Sequence, residues 1–315
     1  LGQLPGFGMP TGTSSMPSLS MTGQRVAFVN NGAIQPFGDP NGATDVFVHD
    51  RDWDSNGVFD ETFGGAVGIL HVSQSSGGVQ GNGNSFNPTI SADGRFVCFE
   101  SYASNLVASD TNNQADVFVH DLVTGATTRV SVSSGGLEGN NFSGSTDPQV
   151  RGSDLSSDGR FVAFESWASN LVGGDSNEFG DVFAHDRQTG QTVRVSVSSA
   201  GAQANGSSFY PSISDDGRIV TFSTFATNIG GGGGAAAVRF MQHDRDADGD
   251  GIFDEIGAIS TVEIGRMVGP STDKMRAALD PTGSFMAFFT DVALVAGDSN
   301  GAFDVYRDGV PAGSA

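Results

Sequence analysis

The chain is 315 residues long, with 36 acidic and 15 basic side chains, a formal net charge of −21 and 46 glycines. Such a balance weighs against nucleic acid and anionic membrane surfaces, both of which need a basic patch. The apolar fraction is 37% and no apolar run is long enough to span a bilayer, which points to short strands and turns in one domain over residues 1–315. Twenty-nine of the acids are Asp and seven are Glu, and Asp favours turns and hard-cation sites over solvated helix faces.

Taken in order, the elements repeat. Turn glycines fall at Gly23, Gly94, Gly159, Gly217 and Gly283, separated by 71, 65, 58 and 66 residues. Each sits in a phrase such as SADGRFVCF or SSDGRFVAF, followed by DVFVHD (Asp45 to Asp50 and Asp116 to Asp121), DVFAHD (Asp181 to Asp186), RFMQHD (Arg239 to Asp244) or DVYRD (Asp304 to Asp308). Each unit reads as four strands: a short first strand (87–91, 211–214), a turn at the Gly, a second strand, a long loop, the Asp-bracketed third strand, and a fourth such as QTVRVSVS from Gln191. Units fall at about 15–86, 87–147, 148–210, 211–273 and 274–315. Repeats of this length predict an all-β fold, a five-bladed β-propeller of four-stranded antiparallel blades.

The residues also resemble the TolB-type, WD-like propeller repeat. PTISADGRFVCFES followed by DVFVHD in the second unit carries the likeness, which extends along essentially the whole chain. The resemblance implies the fold and stops short of partners, because the sequence reads as five units against that family's six and is expected to lack its separate N-terminal domain.

The fifth unit ends after its third strand. The segment LGQLPGF lies where a fourth strand belongs, so residues 1–14 are expected to close the ring and cover two sheet edges. The same vacancy could accept another molecule and build a homopolymer.

Two hairpins carry insertions, RDWDSNGVFDE and RDADGDGIFDE. They present Asp52, Asp54, Asn56, Val58 and Asp60, and Asp246, Asp248, Asp250, Ile252 and Asp254, in the D-x-[DN]-x-[DN]-G pattern of a calcium loop. Alternate carboxylates and one backbone carbonyl can wrap a cation that wants six to eight oxygens, so calcium is the expected cofactor. An acidic, solvated turn is the alternative.

A second pattern spans the long loops: Asp39, Asn41 and Asp45; Asp110, Asn112 and Asp116; Asp175, Asn177 and Asp181; Asp298, Asn300 and Asp304. The fourth unit loses all three together, with Gly233, Ala235 and Arg239 in their places. Either an Asx hydrogen-bond network or a weak cation site accounts for the trio.

Catalytic signals are thin. GDSNG at 297–301 lacks a strand–turn–helix context. His49, His120, His185 and His243 share one repeat position, which predicts structural hydrogen bonding, and His71 stands where Arg129 and Arg194 do. Glu100 and Glu165 could form a glycosidase pair, and Trp53 and Trp167 could stack on sugars. Cys98 reads as a small core residue. The expectation is a non-catalytic, calcium-stabilised scaffold with a protein or glycan ligand, or self-association. Leu1 at the start, with the acidity, suggests export to an extracellular, surface or periplasmic location.

Overall fold

A computed structural model describes residues 11–34, 37–60, 68–145, 147, 150–230, 238–267, 277–280, 282–283, 285–290 and 304–309. They form nineteen strands and no α-helix. Four sheets are four-stranded: β1 (Ser14–Leu19) to β4 (Gly68–His71), β5 (Ser85–Ile90) to β8 (Thr127–Arg129), β9 (Ser153–Leu155) to β12 (Gln191–Arg194), and β13 (Ser208–Ile213) to β16 (Ser260–Met267). A fifth sheet holds β17 (Ala277–Leu279), β18 (Phe285–Thr290) and β19 (Asp304–Gly309). The described pairs are all antiparallel and join sequence neighbours, as propeller blades require. Residues 1–10 of the expected closing strand lie outside the described residues, as does any fourth strand of the fifth sheet, while residues 11–14 belong with the first sheet, the Thr11 N–H bonding Ala33 O at 3.0 Å and the Asn31 N–H bonding Thr13 O at 3.3 Å.

The turn glycines behave as expected. Gly94, Gly159 and Gly217 have φ of +75°, +71° and +78°, and each N–H bonds the carbonyl three residues back at 2.9 Å. Preceding Asp side chains lock these turns: Asp93 accepts from the Ser91 hydroxyl at 2.6 Å and from the Arg95 N–H at 2.9 Å. The arginine after the glycine then grips the Asp that ends the third strand. Arg95 binds Asp121 through two nitrogens (2.9 and 2.7 Å), and Arg160–Asp186 and Arg218–Asp244 repeat the fork.

Two boundaries depart from the sequence reading. First strands start earlier, at Ser85 and Ser208, because a bulge carries them past the proline. Asn87 and Tyr210, each before a Pro, adopt φ of +55°, and the register shifts there. Fourth strands end earlier, β12 at Arg194, since the N–H groups of Val195 and Ser196 converge on Val182 O (2.9 and 3.3 Å). That bulge turns the chain into a strap and aims Ser196 inward.

By contacts the chain divides into two compact units, Leu1–Ser131 with Thr146–Arg151, and Val132–Ser145 with Gly152–Ala315. The first centres on Val46, Val48, Val97, Phe99 and Phe118, and the second on Phe161, Val182, Val220, Phe222 and Met241, all buried. Cys98 is fully buried opposite Val119, as a core residue should be.

Candidate metal centre and the polar nodes of the repeats

In the acidic hairpin after β15 (Val238–Asp244), Asp246 is buried at the base and receives the N–H groups of Asp250 and Gly251 at 3.0 and 3.1 Å. Asp250 in turn accepts the Ile252 N–H at 2.8 Å. These bonds curl the loop so that carboxylate oxygens of Asp246, Asp248 and Asp250 come within 4.8 Å of one another. Gly249 and Gly251 supply the positive φ (+74° and +87°) that the curl needs.

The hairpin after β3 (Asp45–Asp50) repeats the geometry. Asp52 accepts from the N–H groups of Asn56 and Gly57 at 2.9 and 3.0 Å, and Asn56 accepts from Val58 at 2.8 Å. Here Asn56 Nδ2 donates to Asp54 at 3.0 Å, so one acid fewer faces the loop. Asp60 and Asp254 stand apart from the curls. Arg51 and Arg245 hold them in two-nitrogen ion pairs, with closest contacts of 2.6 and 2.5 Å. Arg245 is buried and stacks over Phe161 (4.8 Å) and Phe253 (5.0 Å). At this stack the hairpin residues Ile252 and Phe253 line a cavity of about 320 Å³ together with Asp158, Arg160, Phe161 and Gln191.

The Asp–x–Asn loops form hydrogen-bond nodes. Asp45 receives the Ser73 hydroxyl and Gln80 Nε2, both at 2.7 Å. Asp116 takes Ser131 Oγ (2.6 Å) and Arg129 Nη1 (3.1 Å); Asp181 takes Ser196 Oγ (2.6 Å), Arg194 Nη1 (3.2 Å) and Asn177 Nδ2 (3.1 Å). Burial pushes the Asp181 carboxyl up, while Ser196 and Arg194 pull it back. Asp39 caps the Gly42 N–H (2.7 Å), Asn41 accepts from Ala43 (2.8 Å) and Asn112 from Gln114 (2.7 Å). Asp110 and Asp175 lie 3.7 and 3.2 Å from Arg129 and Arg194. Asp298 and Asn300 lie outside the described residues, and Asp304 opens β19.

In the fourth sheet the charges trade places. Arg239 occupies the Asp slot, almost fully buried, and donates through Nε and Nη2 to Glu263 at 2.9 and 2.6 Å. Glu263 faces Met241 just as Arg194 faces Phe183, so the acid stands at the arginine's register position. Glu263 escaped the sequence reading, although its opposite sign at an Arg position was the available signal. In the first sheet His71 holds that position, 3.5 Å from Asp45 and 3.3 Å from Ser73.

Three of the four repeated histidines are hydrogen-bond partners, while His49 faces Ile69 and its buried Nε2 has no partner among the described residues. His120, His185 and His243 each place Nδ1 2.8 Å from the hydroxyl of Thr127, Thr192 or Thr261, and desolvation lowers each imidazole to about 4. Glu100 and Glu165 serve the bulges: Asn87 Nδ2 donates to Glu100 at 3.0 Å, and Glu165 accepts the Tyr210 N–H at 2.8 Å. Trp53 covers Gly68, where a Cβ would sit 2.1 Å from its ring, and Trp167 lies 6.0 Å from Phe142. Both indoles remain about half exposed. A further surprise is an insertion. Ser143 pairs with Ser166 and β9 resumes only at Ser153, so the first strand of the third sheet is split where its counterparts have a single bulge. In that interval Val150 O accepts from Asn87, and Arg151 donates to Pro17 O at 2.9 Å.

No protein-family model and no curated protein matches the chain. Among solved structures it is similar in backbone course to TolB from Acinetobacter baumannii (13% identity, 89% of this chain and 49% of that one, TM-score 0.45). It is also similar to a putative TolB from Agrobacterium tumefaciens (14%, 96% and 79%, 0.49) and to the tricorn protease (9%, 90% and 28%, 0.48). The chain thus spans about half of the first and over a quarter of the last. At these identities and TM-scores the likeness says nothing of ligand or chemistry.

Proposed function

We propose that the chain is a non-catalytic, five-bladed β-propeller, stabilised by calcium, that works outside the cytoplasm as a scaffold for a protein partner. The observation carrying the metal reading is the curl of the second hairpin, where backbone N–H groups hold Asp246 so that three carboxylates converge. Three like charges so close repel one another, and a divalent cation relieves that repulsion. The ligand set is Asp246, Asp248, Asp250 and the Ile252 carbonyl, with Asp52, Asp54, Asn56 and the Val58 carbonyl as the weaker counterpart. Asp60 and Asp254 are committed to arginine and brace the loops instead. The cavity beside Phe253 offers a protein side chain a place to dock, and the tied carboxylates of Glu100 and Glu165 favour a structural role over hydrolysis.

Calcium at a hundredfold over its Kd should stabilise the fold by about 2.7 kcal/mol, a Tm rise of roughly 5 °C over chelator-treated protein. Asp246→Asn with Asp248→Asn should remove most of that rise, and Asp52→Asn less of it. Identical melting in calcium and in chelator would end the metal reading. Hydrolysis of glycosides by the native chain but not by Glu165→Gln would replace the scaffold with an enzyme.

A further inference from the structure

Among the described residues, the straps that follow the fourth strands of the first three sheets reach the outer strand of the next sheet, and the join has the same atoms each time. In the first unit Thr127 on β8 gives its hydroxyl proton to Gln74 O at 2.5 Å, and its N–H bonds Ser76 Oγ at 2.9 Å. In the second unit Thr192 on β12 does the same with Val132 O (2.5 Å) and Ser134 Oγ (3.0 Å), and in the third Thr261 on β16 with Val197 O (2.7 Å) and Ser199 Oγ (2.8 Å). Since each Thr hydroxyl has a single proton and spends it on a carbonyl, the imidazole nitrogen 2.8 Å away must be the donor. The neutral rings of His120 and His185 therefore carry their proton on Nδ1 and pin the Thr hydroxyl in its bridging rotamer.

We propose that two of these three Thr-centred clasps, those of Thr127 and Thr192, are acid-released latches, in which proton uptake by His120 and His185 frees the strap of one repeat from the outer strand of the next. A neutral imidazole satisfies the clasp with one N–H. An imidazolium adds a second N–H and a full charge inside a site that is 2% exposed at His120 and 6% at His185. The charge is relieved by swinging the ring toward water, which requires releasing Thr. The groups facing the rings do not neutralise it. His120 meets Asp121, already held by Arg95, and His71, while His185 meets Asp186, already held by Arg160, and Arg187. In the first sheet the arrangement is absent: Ile69 stands opposite His49, and His49 Nε2 is left without a partner.

The direction follows from linkage. Both rings sit lowered to about 4 in the fold against 6.5 for a free imidazole, so the released state binds more protons throughout that interval. Stability is therefore full above pH 6.5, declines as pH falls, and loses no more from these groups below about 4. Asp181, whose carboxyl is pushed up by burial, acts in the opposite sense at the acid end.

The test is amide hydrogen exchange at pH 7.0 and 5.0, normalised to intrinsic rates, in the native chain and in the His120→Asn/His185→Asn variant. Asn Nδ2 can replace the Nδ1 donor but does not titrate. Protection of the Thr127 and Thr192 amides should fall at least tenfold at pH 5.0 in the native chain, with Cys98 and Ala163 in the central strands unchanged, and should hold in the variant. Unchanged protection in the native chain, equal loss in the variant, or equal loss at Cys98 and Ala163 would each overturn the latch. Should the variant fail to fold, the native imidazoles decide. Titration of the imidazoles with the Thr amides still protected overturns the proposal, whereas midpoints coincident with Thr amide release sustain it.

Discussion

Replacing Arg239 with Ala is expected to lower the unfolding free energy by about 3–5 kcal/mol, the cost of breaking a buried ion pair from one side. Arg239 is 1% exposed, and it also donates through Nη1 to Ala226 O at 2.7 Å, so truncation takes an ion-pair partner from Glu263 and a donor from that carbonyl. The informative variant is the double exchange Arg239→Asp with Glu263→Arg, which rebuilds the polarity seen at Asp181 and Arg194. It should recover more than half of the loss, and Gly265→Ser, supplying the hydroxyl that Ser196 provides in the third sheet, should recover more. Urea denaturation of the two single variants and the double one gives the coupling energy. Simple additivity would show that the fourth sheet's reversed pair is unrelated to the nodes of the second and third.

Gly217→Ala should be among the most damaging single-atom additions available, at about 2–5 kcal/mol, because two penalties coincide. Its φ of +78° costs an L-residue about 1–2 kcal/mol. Its added Cβ would lie 2.2 Å from Phe161 Cδ2, and overpacking of that kind costs a further 1–3 kcal/mol. Retreat of Phe161 disturbs its packing, since Arg160 and Arg245 lie over its ring at 4.5 and 4.8 Å and Phe253 packs 5.3 Å away. Gly190→Ala is the internal control: φ is +77°, and nothing stands within 4 Å of its Cβ. The difference in chemical-denaturation midpoints between the two isolates the collision from the backbone strain. Equal losses would refute the packing account.

Sheet identity and turn chemistry were legible in the sequence because local physics enforces them. Gly94 and its counterparts need positive φ whatever surrounds them, and the alternation in RFVAFES survives in β10 (Phe161–Ser166) paired residue by residue with β11 (Asp181–Asp186). Pairings between distant positions were less legible. Asp45, Asp116 and Asp181 announce themselves by repetition, but their serine partners follow a bulge that no propensity marks, and Glu263 is visible only once the register of β16 is known. The split of β9 was missed for a related reason. Repeat spacings between turn glycines average over insertions, so the extra residues between Ser143 and Ser153 merged into a loop. At the acidic hairpins the spacing located the curl, while Asp60 and Asp254 fit the same spacing yet are held by arginine. Spacing along the chain orders the carboxylates of a loop but does not say which of them a neighbouring guanidinium has already taken.

The straps also decide where this chain can be divided. Residues 132–145 group with the unit that begins again at Gly152, although by sequence they follow the fourth strand of the second repeat. The module that holds together is therefore one strap out of phase with the module that repeats in the sequence. A fragment cut at a repeat boundary near residue 147 keeps a strap with nothing to grip and removes the one its successor needs. A cut just after Ser131 leaves Val132 and Ser134 with Thr192, the residue they clasp. Grafts and truncations of this array should be framed from strap to strap.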